Sequence, residues 1–379
     1  MANKTVFHTR LCDMFDIEFP ILLAGMGGLA GEGSSSKPKL VAAVSNAGGM
    51  GVLGATALPL DELRTQIREI KKLTNKPFGV DILLPGDLTY APPEGMSLSQ
   101  MKKQFVPKEN IDFIEKLRVD YGLPVVESET EYVLTEEHSK KQIALLIEEK
   151  VPLFCTGLGL PDWLVPMAHE GGMKVLGLAG NVKAALRHNK SGADIIVAQG
   201  HEAGGHTGRI GTFALVPQVV DAVTPTPVLA AGGIGDGRGL VAALALGAIG
   251  VWVGTAFLFA DEANVRNGHR EMILKATEED TVISRVWSGK PLRQLKNPIQ
   301  EAFDKSGLRP LSFAVQLLLM DDFINSIAKA GRDDLLCLPT GQIVGMLKEK
   351  RPAREILNEM VDGAAKLWNE TLPRKIKAK

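Results

Sequence analysis

Cysteine is scarce in this chain and badly placed for bonding. Cys12, Cys155 and Cys337 are odd in number and far apart. No Cys-x-x-Cys pair and no Cys/His cluster at zinc spacing occurs, so neither a disulfide scaffold nor a structural metal is expected, and a reducing, cytoplasmic compartment is. Net charge is equally meagre, because 43 basic and 44 acidic residues leave a formal -1. Such a balance offers no field to draw nucleic acid or an anionic membrane, and neither is expected as a partner. The first ten residues carry no apolar h-region, so no secretory signal is expected. Residues 240–260 are uncharged and long enough to cross a bilayer. Gly247, Gly250 and Gly254 interrupt that run, however, and it reads better as a buried helix, a tight turn and a buried strand.

What is present is a rhythm. With 379 residues, 45% of them apolar and 23% charged, the chain can bury a large globular core. Short apolar segments recur at 19–24, 52–53, 78–84, 151–155, 174–178, 195–198, 227–231 and 250–253. Most are separated by stretches of helical spacing, such as 60–73, where Leu63, Ile67 and Ile70 stand among charges. Strand and helix in alternation imply parallel pairing, and eight units over roughly 240 residues imply a (β/α)8 TIM barrel. The expected architecture is α/β, with the barrel over residues 1–260 and a helical lid or appendage over 261–379. That last region shows no strand alternation and looks helical at 313–320 and 353–360. An insertion at about 85–135 follows the third strand and lies on the catalytic face of such a barrel, either as cover for the site or as a surface excursion. Two Gly-x-Gly-x-x-Gly-like stretches, at 25–30 and 49–54, lack the strand-to-helix context that a dinucleotide fold needs.

The strand ends carry the chemistry. Strand six runs into Gln199-Gly-His-Glu-Ala-Gly-Gly-His-Thr-Gly208, strand seven into Gly232-Gly-Ile-Gly-Asp-Gly237, and strand eight into Gly254-Thr255. In a barrel of this kind a phosphate sits between the loops after strands seven and eight, beside a helix N-terminus. Gly232, Gly233 and Gly235 let backbone NH groups approach an anion, and Gly254-Thr255 adds an NH and a hydroxyl. The alternative is that these are simply tight turns. His206 follows Gly204-Gly205, which lets the backbone sit against a flat ligand, and its imidazole exchanges a proton near neutral pH. A catalytic or substrate-binding role is expected for it. His201 reads as peripheral, and His8, His138, His169, His188 and His269, in terminal or polar helical contexts, receive no role. Asp81 is an acid inside an apolar strand, where an unpaired charge is costly, so it needs backbone NH groups or a ligand. Cys155, without a basic partner, reads as a buried small side chain.

With these residues assembled, the chain resembles the nitronate monooxygenases, formerly 2-nitropropane dioxygenases, and the related FMN-dependent enoyl-ACP reductases. The resemblance covers roughly 15–85 and 150–350. Its most specific piece is Gln199-Gly-x-Glu-Ala-Gly-Gly-His-x-Gly208, followed in order by Ala231-Gly-Gly-Ile234 and Gly254-Thr255. Ser288-Gly-Lys-Pro-Leu-Arg293, Gly341-Gln342 and Pro352-Ala353 resemble C-terminal signatures of that family. The resemblance implies non-covalent FMN in a TIM barrel, with a helical segment over the flavin. It places His206 as the active-site histidine and Gln199, Gly204, Gly233, Gly254 and Thr255 at FMN contacts. Ala24-Gly25-Met26 falls at the strand-end tripeptide beneath the flavin. Gly25 stands where proline is usual, and Asp81 where an asparagine often binds the flavin. The implied reaction is oxidation of an alkyl nitronate or nitroalkane by dioxygen, with His206 bonding the nitro group and taking the α-proton of a neutral nitroalkane. An NAD(P)H-dependent reductase of quinones or enoyl thioesters and a flavin-binding sensor remain as alternatives, and homo-oligomerisation stays open.

Overall fold

Apolar segments too short for helices, punctuated by glycine, form strands here, and the amphipathic stretches between them form the covering helices. The computed structural model describes residues 7–27, 33–56, 58–84, 98–126 and 135–376. Its strands are β1 (Ile21–Leu23), β2 (Gly51–Gly54), β3 (Phe78–Asp81), β4 (Leu153–Thr156), β5 (Lys174–Ala179), β6 (Ile195–Gln199), β7 (Gly205–His206), β8 (Val228–Ala231), β9 (Gly250–Val253), β10 (Thr281–Ser284) and β11 (Leu292–Leu295). Eight of them form one parallel sheet in the order β1-β9-β8-β6-β5-β4-β3-β2. A parallel bridge between Leu22 and Met50 joins its two ends, with Leu23 N donating to Met50 O at 2.9 Å, so the sheet curls into the expected barrel.

Period-two alternation divides the strand residues between two cores. Leu22, Val52, Leu153, Leu176, Ile195, Val197, Leu229 and Trp252 fill the barrel interior. Their neighbours Ile21, Leu23, Leu53, Val80, Phe154, Val175, Ile196 and Val251 face the helices. A strand buried on both faces must be apolar throughout, which is why these segments read as continuous runs. The helix Leu60–Leu73 buries Leu63, Ile67 and Ile70, and places Asp61 and Glu62 in its first turn and Lys71 and Lys72 in its last, the polarity a helix dipole favours. Residues 240–260 resolve as expected into the end of the helix Gly237–Ala245, a turn with Gly247 at φ +94°, and β9. Among the described residues no helix is long and apolar enough to cross a membrane.

A second layer stands on the barrel. Val106, Ile114, Leu117 and Leu123 of the insertion share a core with Leu319, Met320, Phe323, Ile324 and Ile327 of the helix Phe313–Lys329, together with Trp287. The insertion's described part therefore packs on the C-terminal region; its Pro- and Gly-rich stretch at 85–95 lies outside the described residues. The reading of 261–379 as strandless is corrected. β10 pairs antiparallel with β11, and β11 with β7. Apolar alternation failed to mark β11 because its interior residues, Arg293 and Gln294, are polar yet buried. Arg293 is satisfied locally, its Nε donating to His201 O at 3.1 Å and its Nη1 to Thr281 Oγ1 at 2.9 Å.

Candidate active site

A cavity of about 1180 Å³ opens where the carboxyl ends of the barrel strands converge. That end of a (β/α)8 barrel gathers loops from every strand, and this one also takes Lys290, Leu292, Phe313, Pro339 and Gly341 from the C-terminal layer. Ala24, Gly25, Met26, Asp81, Gln199, Gly204, Gly205, His206, Gly232, Gly233, Gly254 and Thr255 all border it. The volume is above the ~300–1,000 Å³ of ordinary ligand sites, room enough for a cofactor and a small substrate together.

The β1 end is held by hydroxyls. Ser36 Oγ accepts from Met26 N at 2.8 Å and from Gly54 N at 3.0 Å, while Ser34 Oγ donates to Met26 O at 2.9 Å. Beside this clamp, Asp81 at the end of β3 is 6% exposed, and its Oδ1 has no hydrogen-bond partner. Burial without compensation pushes its carboxyl up to about 8. A Cβ added at Gly25 would lie 2.7 Å from Asp81 Cγ and nearer still to Cβ and Oδ2. The carboxyl of one residue thus takes the space that any other residue at position 25 would need.

The loop after β6 is braced from within. Gln199 Nε2 donates to His206 O at 2.6 Å, Thr207 Oγ1 donates to Gly200 O at 3.1 Å, and His201 Nδ1 donates to Gly208 O at 2.8 Å. The amide of Gln199 is therefore spent on the loop that carries the histidine. Gly204 abuts the backbone of Thr340 and Gly341, which a Cβ there would approach to 2.7 Å. His206 is pinned by pairing with Leu292, its ring lies 6.1 Å from that of Phe313, and its Nε2 shares a 2.8 Å hydrogen bond with Ser288 Oγ. A hydroxyl donates to a bare ring nitrogen or accepts from a protonated one, so Ser288 serves either tautomer. Burial, with Lys290 adding to it, pushes the imidazole down to about 4, so it is neutral at pH 7.

The phosphate-type cradle differs from expectation in one respect. Gly232 and Gly233, on the cavity's border, have φ of +92° and +72°, a left-handed backbone that glycine adopts without steric cost. The adjoining α-helix N-termini are already filled by the chain's own acids. Glu202 accepts from Thr212 N and Oγ1, each at 2.9 Å, at the start of Thr212–Val223, and Asp236 accepts from Arg238 N at 2.9 Å at the start of Gly237–Ala245. What remains at this end of the cavity is the Gly232-Gly233 turn and the 3-10 turn Thr255–Phe259 that follows Gly254. Thr255 Oγ1 accepts from Gly341 N at 2.9 Å, which joins the C-terminal layer to the β9 end.

Sequence reasoning overlooked several neighbours. Ser288 and Lys290 were legible only as a C-terminal signature, and Phe313 only as part of an apolar helix. His188 and His269, which received no role from their polar helical contexts, are buried at the cavity's border, their Nε2–H groups donating at 2.9 Å to Leu178 O and Asp333 O. Among the described residues no group of three His, Cys, Asp or Glu is placed to hold a metal ion.

Comparison with known proteins gives a consistent picture. The family model for nitronate monooxygenase matches residues 8–363. A Mycobacterium tuberculosis protein provisionally named a monooxygenase is 38% identical over 370 residues, covering 94% of this chain and 96% of its own. A Staphylococcus aureus protein named probable nitronate monooxygenase is 35% identical over 374 residues, covering 96% and 98%. Among solved structures, the nitroalkane oxidase of Streptomyces ansochromogenes superposes with a TM-score of 0.79 at 28% identity, over 95% of this chain and 99% of its own. FabK of Thermotoga maritima does so with a TM-score of 0.74 at 31% identity, over 97% and 99%.

Proposed function

The chain belongs to the nitronate monooxygenase family, and on that footing we propose that it is an FMN-dependent oxidoreductase that oxidises alkyl nitronates with dioxygen. The observation that carries the reading is a half-buried histidine, neutral at pH 7, on the same cavity as the Gly232-Gly233 turn, with a hydroxyl that serves either of its tautomers. The residues suit FMN. Gly232, Gly233, Gly254 and Thr255 would hold its phosphate, and Ala24, Gly25 and Met26 would lie against its ring with Gln199, Gly204 and Gly205 beside it. The unpartnered Oδ1 of Asp81 marks a polar atom that a ligand would complete. Bound there, FMN supplies electron acceptance from the substrate and a route onward to dioxygen.

The chain's own groups account for the rest. Lys290 puts a cation on the cavity wall near His206, which favours a negatively charged nitronate. His206 is neutral and so can donate one hydrogen bond to a nitro oxygen through a ring N–H, or receive the α-proton of an uncharged nitroalkane on a bare nitrogen. Phe313 and Leu317 cover this part of the cavity with apolar surface, and exclusion of water strengthens both interactions.

The test is anaerobic mixing of the yellow protein separately with ethylnitronate, NADH and NADPH while flavin absorbance is followed. Rapid bleaching by the nitronate, with slow or no bleaching by either nicotinamide, is expected. The reverse would replace this reading with a reductase of quinones or enoyl thioesters, and stoichiometric FAD released by acid would remove the FMN assignment.

A further inference from the structure

Among the described residues, Asp81 is a buried acid on the cavity wall whose Oδ1 no other group answers. Its neighbours in the sheet are Gly54 on β2 and Cys155 on β4, and the β1 end offers Gly25. None of these brings a cation. Of them Cys155 alone titrates, and burial, with Asp81 adding to it, holds its thiol well above its ordinary value, so it stays neutral. A carboxylate in such a place lacks every usual form of compensation. A carboxylic acid needs only an acceptor for its proton, and the described protein offers Oδ1 none.

We infer that Asp81 works as a neutral carboxylic acid donating a hydrogen bond to an acceptor atom of the bound FMN, and that position 25 is glycine to leave room for that carboxyl. The inference rests on the FMN reading above and adds a property to it. An amide in this position would donate at every pH, whereas an acid donates only while it keeps its proton. Because burial raises this carboxyl to about 8, the donor is lost within the range where proteins are ordinarily handled. Ionisation then leaves a buried negative charge facing the ring's acceptor atoms and the anionic cofactor as a whole. Bound FMN and the Asp81 proton therefore support one another, as linkage requires.

The experiment is equilibrium titration of the apoprotein with FMN, read by quenching of flavin fluorescence, from pH 7 to about 9.3 at fixed ionic strength. Across that window the phosphate is already largely dianionic, since its second ionisation lies near pH ~6. The wild-type Kd is expected to weaken by about tenfold per pH unit once Asp81 begins to ionise. Asp81→Asn, which keeps the shape and a permanent donor, should hold one affinity across the window to within about twofold. A pH-independent wild-type Kd would overturn the inference while leaving FMN binding intact. So would an equal break in Asp81→Asn, or an affinity that rises with pH, which would mean a carboxylate accepting from a ring N–H. Failure of the wild type to take up FMN at any pH would remove the FMN reading and this inference together. If the variant does not fold, the wild-type curve alone decides.

Discussion

The phosphate site proposed at Gly232-Gly233 can be tested with a pair of substitutions that differ by one charge. At Gly233 a Cβ would lie 3.6 Å from Glu202 Cβ and 4.0 Å from its Cδ, ordinary contact without a clash. The backbone there has φ +72°, so any side chain carries a left-handed penalty of about 1–2 kcal/mol. Asn and Asp are the residues that tolerate this region best, and the penalty is common to both. Gly233→Asn therefore measures strain and crowding, and Gly233→Asp adds the charge. Two unit charges about 4 Å apart at an effective dielectric of ~20 repel by about 4 kcal/mol. Part of that is lost to solvent at the cavity mouth, so about 3 kcal/mol is expected against a phosphate, or a factor of 10²–10³ in Kd. Fluorescence titration with FMN should show Gly233→Asn within about tenfold of wild type and Gly233→Asp weaker by the further factor. Circular dichroism should show both folded. If the two variants weaken equally, no phosphate sits near position 233 and the cradle is an ordinary turn.

His206→Asn keeps a hydrogen-bond donor but loses the base, so oxidation of a preformed nitronate should survive while turnover of the neutral nitroalkane falls about 100-fold or more; equal small losses would remove His206 as the base. With the imidazole held down to about 4, wild-type kcat/KM for the nitroalkane should show no limb from this group between pH 8 and about 5.5, and should fall only as pH drops towards 4; a break near 6.5 would contradict the burial argument. Asp81 makes a prediction about stability. Its folded value is raised, so the native state keeps the proton longer than the unfolded chain, and this contribution is full below about pH 4 and lost as pH rises towards 8. In urea denaturation of apoprotein, Asp81→Asn should gain on wild type progressively from pH 5 to pH 8, at about 1.4 kcal/mol per unit of separation between the two values; a constant difference would mean that Asp81 ionises normally.

The barrel was legible because its strands are buried on both faces and so leave continuous apolar runs, and Ile195–Gln199 or Gly250–Val253 needs no further context to be read. That the candidate site residues would meet at one cavity was legible for a related reason. Glycines that let backbones meet, as Gly204 does with Gly341, and a histidine between them leave a local signature even when their partners are distant. What stayed hidden depends on pairing between remote segments. β11 carries a buried arginine and glutamine, and only the carbonyl of His201 and the hydroxyl of Thr281 make Arg293 acceptable there. His188 and His269 sit in helices whose composition is polar, yet each faces a carbonyl that burial leaves needing a donor. Glu202 is part of a readable motif, but nothing in its spacing shows that it fills the helix end at Thr212. The separate departures at Gly25 and Asp81 became one feature only when the carboxyl was seen to occupy the space beside the glycine.

The position of His206 shows what the second layer contributes. Its backbone is held on one side by Gln199 at the end of β6 and on the other by Leu292 of β11. Its ring is held by Ser288, which is itself buried and adjoins Trp287, one of the largest fully buried side chains. Trp287 belongs to the core that Ile114 and Leu117 of the insertion share with the helix Phe313–Lys329. The described insertion residues border the cavity nowhere, yet they pack the layer that sets where Ser288 and Phe313 stand. Loss of a large buried apolar side chain in that core, at about 2–5 kcal/mol for a Leu or Ile truncated to Ala, is therefore expected to disturb the histidine more than the Gly232-Gly233 turn, which lies at a barrel strand end. The ring of His206 thus leans on the C-terminal layer while the Gly232-Gly233 turn leans on the barrel, and the Thr255 hydroxyl accepting from Gly341 N is one of the bonds that tie the two together.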